Sequence, residues 1–419
     1  MPAPNLLLLL ADDDRFDSFA HAAFGGALFR ATSQATLCAP SRLSLLTGTP
    51  PHAHGVLNND FTPHELYVRA ARGRSIVDVA RENGYLVAGV GKLFHIDAVE
   101  TAQRYDVPAA ALHNMLLYRD CAETNASQRR PWPVEPPRPL RWGDSMQCMG
   151  VTFQDQRIAS EAIRVVDDLR AKNRSFALLV GFLRPHVPMH VPPGYALPTD
   201  VPEPVPECAG WFPEVPEPTL FTHAVVQDCT RSREDTLEMY NGARRYVYAK
   251  MRRVINAVPR NTLIVRTSDH GLNLGEHCLY GKMGAFNRLA TTVPLEIWAP
   301  WRTIVRTPVD VQLMDVLPTI ADALNWTTRT EWGGQSLLRP HAGRRFVTTN
   351  SFGASIRDSD HRLTLRRLGV PPFARTWSPL TSYEVAEVAT HATNCPANDP
   401  LLKIRLRVAL LAGLKVATH

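Results

Sequence analysis

The stretch Asn5-Leu6-Leu7-Leu8-Leu9-Leu10-Ala11-Asp12-Asp13-Asp14-Arg15 decides the fold class. An unbroken apolar run of this length predicts a parallel strand that is buried on both faces of a sheet. The acidic residues that follow it fall where α/β folds place their ligands, past the carboxyl end of the first strand. Paired carboxylates at such a point suit a hard divalent cation. A solvated acidic turn or a helix N-cap is the alternative.

Three further apolar runs predict strands that also end in polar motifs. These runs and their motifs are Tyr85 to Val90 with Gly91-Lys92-Leu93-Phe94-His95, Ser175 to Phe182 with Leu183-Arg184-Pro185-His186, and Asn261 to Thr267 with Ser268-Asp269-His270-Gly271. Helical spacing occurs over Ser75 to Gly84, Gln154 to Leu169 and Arg233 to Val258. We therefore predict an α/β fold with a large mixed, mostly parallel sheet flanked by helices. The four polar motifs should meet in one crevice at the carboxyl ends of the strands.

The segment Leu37-Cys38-Ala39-Pro40-Ser41-Arg42-Leu43-Ser44-Leu45-Leu46-Thr47-Gly48 carries the strongest functional pattern. Ser44 to Leu46 is predicted to be helical. A lone cysteine in such a position is most often an inert buried thiol. The residues that follow Cys38 are what make this segment distinctive.

The segment matches Cys-x-Pro-Ser-Arg-x-x-x-Leu-Thr-Gly at every fixed position and resembles the signature of the type I sulfatase family, in the alkaline phosphatase superfamily. The pattern Ala-Asp-Asp-x-Arg at residues 11–15 is similar to the opening of that family. The motifs Gly-Lys-x-Phe-His and Ser-Asp-His-Gly resemble its iduronate-2-sulfatase branch. The resemblance covers nearly the whole chain, and it implies the alkaline-phosphatase-like fold.

The resemblance implies that Cys38 is oxidised to formylglycine, an aldehyde that hydrates to a gem-diol. One hydroxyl would attack the sulfur of a sulfate ester, and the other would then expel sulfate. The implied catalytic residues are Cys38, Arg42, Lys92, His95, His186 and Lys282. The implied ligands of one Ca²⁺ (or Mg²⁺) ion are Asp12, Asp13, the matured Cys38, Asp269 and His270. Because calcium prefers oxygen, His270 is a weaker candidate ligand than Asp269.

The expected function is hydrolysis of a sulfate ester, most simply of a sulfated sugar. The expected partners are that substrate and a formylglycine-generating enzyme. One alternative is a phosphonate or phosphate diester hydrolase of the same superfamily. Another is a non-catalytic protein that binds sulfated glycans and in which Cys38 is never matured. The chain departs from the family pattern at Tyr248, Asn287 and Thr292, where relatives carry an acidic, an acidic and a basic residue.

Composition excludes several classes of protein. The net charge of +6 and pI near 9.0 suit an anionic substrate, but no Lys/Arg block or zinc-finger spacing predicts nucleic-acid binding. The seven scattered cysteines predict no disulfide framework. No apolar run approaches the roughly 20 residues of a membrane helix. Leu6 to Leu10 lacks the basic flank and cleavage site of a signal peptide, so a cytoplasmic location is expected.

Two domains are predicted from the order of motifs. Residues 1–340 would form the catalytic α/β domain. Residues 341–419 would form a smaller α+β subdomain with an antiparallel sheet and a closing helix over Asp399 to Leu414. The proline-rich segment 187–218 is predicted to be an irregular surface excursion.

Overall fold

A computed structural model gives the fold of the chain over residues 3–17, 24–59, 64–95, 105–107, 153–187, 189, 191–196, 233–274, 280–282, 285–304, 311–340, 346–351, 353–357, 361–367, 383–390, 406 and 408–410. The helices with assigned bounds are α1 (Cys38–Thr47), α2 (Pro51–His54), α3 (His64–Ala71), α4 (Ile76–Glu82), α5 (Gln154–Ala171), α6 (Arg233–Ala257), α7 (Arg288–Thr291) and α8 (Val316–Leu324). The strands are β1 (Asn5–Asp12), β2 (Ala27–Thr32), β3 (Leu86–Gly91), β4 (Phe176–Pro185), β5 (Thr262–Ser268), β6 (Asn273–Leu274), β7 (Tyr280–Gly281), β8 (Thr292–Trp298), β9 (Val311–Gln312), β10 (Phe346–Asn350), β11 (Gly353–Arg357), β12 (His361–Arg367) and β13 (Tyr383–Thr390).

Within these residues the large sheet has seven strands in the order β3-β4-β1-β5-β8-β2-β9. The first four strands of that order run parallel to one another, and β8 is antiparallel to both β5 and β2. The four strands predicted from apolar runs are therefore neighbours in space. The expected mixed, mostly parallel sheet is confirmed.

The leucine run of β1 packs on both faces of this sheet. Leu6, Leu8 and Leu10 belong to one hydrophobic cluster, whereas Leu7 and Leu9 belong to a second cluster on the opposite face. All five side chains are completely buried. Successive side chains of a strand point to opposite faces, so an unbroken apolar run is required where helices cover both. Each buried leucine contributes about 1.5–3 kcal/mol to stability.

Helices from different parts of the chain cover the two faces. The cluster around Leu7 includes Val165 of α5 and Val247 of α6. The cluster around Leu6 includes Leu43 of α1 and Ile320 of α8. Helix α1 is thus held against the sheet along its whole length, and all ten of its residues are buried.

The carboxyl ends of β1, β3, β4 and β5 lie at one edge of the sheet. Asp12 is opposite Pro185 of β4, and Ala11 is opposite Ser268 of β5. A Cβ atom on Gly181 would collide with the carbonyl oxygen of Lys92, so glycine is required for β3 to pass this close to β4. The strand order brings the polar motifs together, as expected from the sequence.

The carboxyl-terminal strands β10 to β13 form a separate four-stranded antiparallel sheet. A backbone hydrogen bond connects this sheet to the segment that follows β2 of the larger sheet. The Thr349 N–H donates to the Gln34 carbonyl at 2.8 Å. The division into 1–340 and 341–419 stays a prediction. Most of the predicted helix at Asp399 to Leu414 and of the segment 187–218 lies outside the described residues. Among the described helices, none combines the length and apolar character needed to cross a membrane.

Candidate active site

Cys38 is the first residue of α1, six residues earlier than the helical segment predicted from sequence. The helix begins without a side-chain cap from Leu37, and the Ala39 N–H instead donates to Asn59 Oδ1 at 2.9 Å. Pro40 is tolerated because N–H groups in a first turn have no acceptor within the helix. The sulfur of Cys38 therefore lies at the positive end of a helix dipole, which favours negative charge.

Arg42, one turn further along α1, contacts residues at the carboxyl ends of three strands, β1, β3 and β5. Its Nε donates to Asp269 Oδ2 at 2.8 Å, and its Nη2 lies 3.4 Å from Asp12 Oδ1. The same guanidinium donates to the carbonyl oxygens of Lys92 and Leu93. Burial opposes the charge of Arg42, but Asp269 and Asp12 outweigh burial and raise its pKa. Arg42 is thus directed at the carboxylates of the site.

Two lysines pair with the two adjacent acidic residues at the carboxyl end of β1. Lys92 Nζ is 2.5 Å from Asp12 Oδ2, and Lys282 Nζ is 2.5 Å from Asp13 Oδ1. The backbone N–H of Asp13 also donates to Asp269 Oδ1 at 3.1 Å. Because all five side chains are buried, these ion pairs are poorly screened by water.

The sulfur of Cys38 is surrounded by cationic groups. Lys282 Nζ is 3.2 Å from Sγ, and His270 Nε2 is 3.4 Å from it. Burial opposes ionisation of the thiol, but the charges of Lys282 and Lys92 outweigh it and hold the pKa of Cys38 well below its usual value. An anion at this position is therefore favoured by the surroundings.

The three histidines of the site differ in charge. Burial disfavours the charged form of His270, but Asp269 outweighs burial and raises its pKa to about 9. Burial likewise opposes charge on His186, and Asp13 raises its pKa above the usual value. Burial, together with Lys92, lowers the pKa of His95. At neutral pH the site thus holds both protonated and neutral imidazoles.

Two carboxylate oxygens indicate room for a cation. Asp12 Oδ1 and Asp13 Oδ2 are buried and have no hydrogen-bond partner, although buried polar atoms are nearly always paired. Ligand atoms of Asp12, Asp13, Cys38 and His186 lie within 4.8 Å of one another, as do those of Cys38, Asp269 and His270. Three of these six residues supply carboxylate oxygens, which are ligands that Ca²⁺ and Mg²⁺ prefer.

Asp13 and His95 both have left-handed backbone conformations, with φ of 67° and 78°. Such a conformation costs about 1–3 kcal/mol in residues other than glycine and persists where the surrounding structure enforces it. Asp13 follows β1 directly and His95 lies four residues after the end of β3, and the carboxyl ends of both strands form the site. The strain therefore coincides with the predicted functional positions.

All ten predicted site residues are brought to this one edge of the sheet. Sequence reasoning missed Ser41, whose Oγ donates to the Asp269 carbonyl at 2.5 Å. It also missed Tyr240, whose hydroxyl donates to the Asp13 carbonyl at 2.6 Å. Ser41 belongs to the quoted motif and could have been singled out there. Tyr240 carried no such signal, because its partner is distant in sequence.

The positions that depart from the family pattern also have defined contacts. Asn287 caps α7 by accepting from Ala290 N–H at 3.0 Å, and its Nδ2 donates to Asn273 Oδ1 at 2.7 Å. Thr292 Oγ1 accepts from Arg357 Nη1 at 3.4 Å. Each replacement is therefore integrated into the local hydrogen bonding.

The fold and the site define an α/β protein with a buried, cation-rich nucleophile position at the carboxyl ends of parallel strands. The sequence model of the sulfatase family matches residues 9–326, well over half of the 419 residues, and the chain belongs to this family.

Curated relatives agree with this assignment. Iduronate 2-sulfatase of Mus musculus is 27% identical over 351 residues, covering 72% of this chain and 60% of the relative. Iduronate 2-sulfatase of Homo sapiens is 28% identical over 298 residues, covering 65% of this chain and 53% of the relative. The chain thus spans less than two thirds of the length of these relatives.

Two solved structures share the fold. BT4656, in complex with its substrate D-glucosamine-2-N,6-O-disulfate, has a TM-score of 0.67 at 14% identity, covering 99% of this chain and 97% of that chain. The phosphonate monoester hydrolase of Agrobacterium radiobacter has a TM-score of 0.67 at 20% identity, covering 99% of this chain and 95% of that chain.

Proposed function

We propose that the chain hydrolyses a sulfate ester of a sulfated sugar, with formylglycine made from Cys38 as the nucleophile and one Ca²⁺ (or Mg²⁺) ion. The observation that carries the proposal is the position of Cys38 Sγ, 3.2 Å from Lys282 Nζ and 3.4 Å from His270 Nε2. These groups would stabilise an anion at residue 38 and the charge that develops on a sulfate group bound there. The hydrated aldehyde would supply a nucleophile that can release sulfate by itself.

The cation would be held by Asp12, Asp13 and Asp269, together with the matured residue 38. When bound, it would polarise a sulfate oxygen and favour the ionised form of the nucleophile. His270 has a pKa of about 9 and would have to lose a proton to act as a ligand. A role as a charged hydrogen-bond donor to residue 38 is therefore the better assignment for His270.

We expect an anionic substrate to bind more tightly once the cation is present. Three buried carboxylates are paired with the cations Arg42, Lys92 and Lys282, so these groups nearly cancel. A divalent cation would add two positive charges to this poorly solvated pocket, beside the protonated His270. A sulfate ester would offset part of that charge.

His186 is the best candidate for the acid that protonates the leaving alcohol. Its Nδ1 lies 2.5 Å from the Val187 carbonyl, and its Nε2 faces the site at 3.9 Å from Asp13 Oδ2. The raised pKa of His186 keeps a proton on the ring near neutral pH, as a general acid requires. His95, with its lowered pKa, would instead accept a hydrogen bond from the nucleophile.

Three similar proteins support a sugar as the alcohol. Two curated relatives are iduronate 2-sulfatases, and BT4656 was solved with a glucosamine disulfate. A sulfated saccharide is therefore the first substrate class to test. The proposal also requires a formylglycine-generating enzyme as the maturation partner of Cys38.

The test is turnover of an aryl sulfate and of sulfated disaccharides by chain produced together with a formylglycine-generating enzyme. Cys38→Ala should lower kcat/KM by roughly a thousandfold or more, because no other described group can replace the nucleophile. Thr319→Val, which removes a hydroxyl bonded to the Asp315 carbonyl away from the site, is the matched control. Wild-type activity in Cys38→Ala would contradict the proposal.

A phosphonate or phosphate diester hydrolase is the second candidate, since the Agrobacterium radiobacter enzyme shares the fold. The same preparation should be assayed with a phosphonate monoester and a phosphate diester. A higher kcat/KM for these than for sulfates would favour this candidate. Tight binding of a sulfated glycan without turnover, with a thiol at residue 38, would favour the non-catalytic alternative.

A further inference from the structure

Tyr240 of α6 contacts the backbone on both sides of Asp14. Its hydroxyl donates to the Asp13 carbonyl at 2.6 Å and accepts from the Arg15 N–H at 2.9 Å. The ring is completely buried. This hydroxyl therefore fixes the backbone of the turn that immediately follows β1.

This turn needs an external constraint. Asp13 has a left-handed φ of 67°, a conformation that a non-glycine residue adopts at a cost of about 1–3 kcal/mol. Its carboxylate nevertheless has a definite direction, with Oδ1 3.3 Å from His270 Nδ1 and Oδ2 without a hydrogen bond. If the turn relaxed, this carboxylate would leave the position that it shares with Asp12.

The next two turns of α6 hold the residues after Asp13. Arg244 Nε lies 2.9 Å from Asp14 Oδ1, and Arg244 Nη2 donates to the Arg15 carbonyl at 3.2 Å. The Tyr248 hydroxyl donates to Asp14 Oδ2 at 2.6 Å. Residues 240, 244 and 248 follow the four-residue spacing of one helix face. One face of α6 thus contacts residues 13–15 of the turn, and Tyr240 supplies the contact with Asp13.

We propose that Tyr240 is a positioning residue that holds Asp13 in its left-handed conformation and so directs the Asp13 carboxylate, beside that of Asp12, at one cation. This inference rests on the cation site of the proposed function. Tyr240 lies outside the site and would maintain the geometry of the cation ligands. Tyr240 touches neither the reacting atoms nor the cation, and it acts through the Asp13 backbone.

The test is Ca²⁺ binding to the full chain by isothermal titration calorimetry, which needs no turnover. Tyr240→Phe removes one oxygen and keeps the ring. We expect it to weaken Ca²⁺ binding by about tenfold or more, as losses of groups that orient metal ligands do. The matched control is Tyr85→Phe, which removes a hydroxyl that donates to the Pro4 carbonyl at 2.8 Å, at the opposite end of the sheet. Tyr85→Phe should bind Ca²⁺ like the wild type.

Two further variants separate the possible failures. Tyr248→Phe, which acts on Asp14, should weaken Ca²⁺ binding less than Tyr240→Phe does. Equal weakening by both would overturn the specific assignment to Tyr240. Unchanged affinity in Tyr240→Phe, with binding lost in Asp13→Asn, would overturn the positioning role and leave the cation site standing. Full affinity in Asp13→Asn would instead contradict the cation site of the proposed function.

Discussion

Two clusters of buried charged residues meet at the segment from Asp12 to Asp17, and they differ in how their ion pairs are formed. We call the first the reactive cluster, made of Asp12, Asp13, Asp269, Cys38, Lys92 and Lys282. We call the second the support cluster, made of Asp14, Asp17, Arg244, Tyr248, Arg266 and Glu296. Adjacent residues of one chain segment, Asp13 and Asp14, belong to different clusters. The Asp13 carboxylate contacts Lys282 and His270, whereas the Asp14 carboxylate contacts Arg244 and Arg266.

The clusters differ in the cations that they contain. In the support cluster, Arg244 and Arg266 both contact the Asp14 carboxylate, and Arg244 also reaches Asp17 at 2.8 Å. In the reactive cluster, single lysine ammonium groups contact Asp12 and Asp13, and the guanidinium of Arg42 contacts Asp269 and Asp12. A guanidinium fixes carboxylates through a rigid fork, whereas an ammonium on a flexible stem can shift to a new partner.

The clusters also differ in how closely cationic nitrogens approach the carboxylate oxygens that lack hydrogen bonds. Asp14 Oδ1 is one such oxygen, and Arg244 Nε lies 2.9 Å from it. Arg42 Nη2 lies 3.4 Å from Asp12 Oδ1, and His186 Nε2 lies 3.9 Å from Asp13 Oδ2. The support cluster therefore has the closer ion pairs, and we expect the reactive cluster to retain capacity for a cation and an anion. Four predictions test this difference.

The largest expected effect is that of Asp13→Asn on turnover. This variant keeps the shape of the side chain and removes a charge that we assign to the cation, so kcat/KM should fall by roughly a thousandfold. In the absence of cation, the free energy of unfolding should fall less than in Asp14→Asn, because burial outweighs Lys282 and raises the pKa of Asp13. Both quantities are measured on one preparation, by sulfate ester assay and by urea denaturation. Near wild-type turnover in Asp13→Asn would show that catalysis does not need the charge of Asp13, which would contradict the distinction between the clusters.

Asp14→Asn should show the opposite pattern. It leaves Arg244 and Arg266 without the charge between them, and breaking a buried ion pair in this way destabilises a protein by about 3 kcal/mol. Turnover per folded molecule should fall far less than in Asp13→Asn. Urea denaturation measures the first effect, and activity corrected for folded fraction measures the second. A stability unaffected by this substitution would show that the support cluster is not structural.

Cation removal should act on the reactive cluster alone. Dialysis against a chelator should abolish turnover, and adding back Ca²⁺ should restore it. At a concentration one hundred times its Kd, Ca²⁺ should stabilise the fold by about 2.7 kcal/mol. Differential scanning fluorimetry with Ca²⁺ and Mg²⁺ gives the shift in Tm. The same shift in Asp13→Asn as in wild type would place the cation elsewhere.

The smallest expected effect is the acid sensitivity contributed by Asp17. Burial would raise the pKa of Asp17, but Arg244 and Arg15 outweigh it and lower that pKa to about 2, from an ordinary 3.8. Because the folded-state pKa is depressed, its stabilisation is complete above about pH 4 and is lost as pH falls towards 2. The contribution is about 2 kcal/mol. Asp17→Asn should therefore be less stable than wild type at pH 6, with the difference shrinking below pH 4. A difference independent of pH would contradict the ion pairing.

The reactive cluster was largely predictable from sequence, and the support cluster was not. Asp12, Lys92 and Asp269 each follow an apolar run that is covered by helices on both faces, so the ends of β1, β3 and β5 could be placed at one edge. The contacts of Arg244 with Asp14 and Asp17 join residues more than 200 positions apart. No local period or motif reports such pairings, because tertiary packing alone determines them.

Three structural features escaped prediction for related reasons. Strands β2 and β8 pair with each other antiparallel across more than 200 residues of sequence, and neither is a long apolar run. Helix α1 begins at Cys38 without a capping side chain, so the local sequence indicated only its later residues. Tyr248 departs from the family pattern, and only the structure shows that its hydroxyl donates to Asp14.

The most direct test of the central claim is the mass of the tryptic peptide containing residue 38, measured alongside turnover in the same preparations. Chain produced with and without a formylglycine-generating enzyme provides a range of maturation. We predict that the aldehyde replaces the thiol in matured chain and that kcat for a sulfate ester rises in proportion to the aldehyde fraction. Full turnover by chain that retains the Cys38 thiol, or none by chain that is fully converted, would contradict the account.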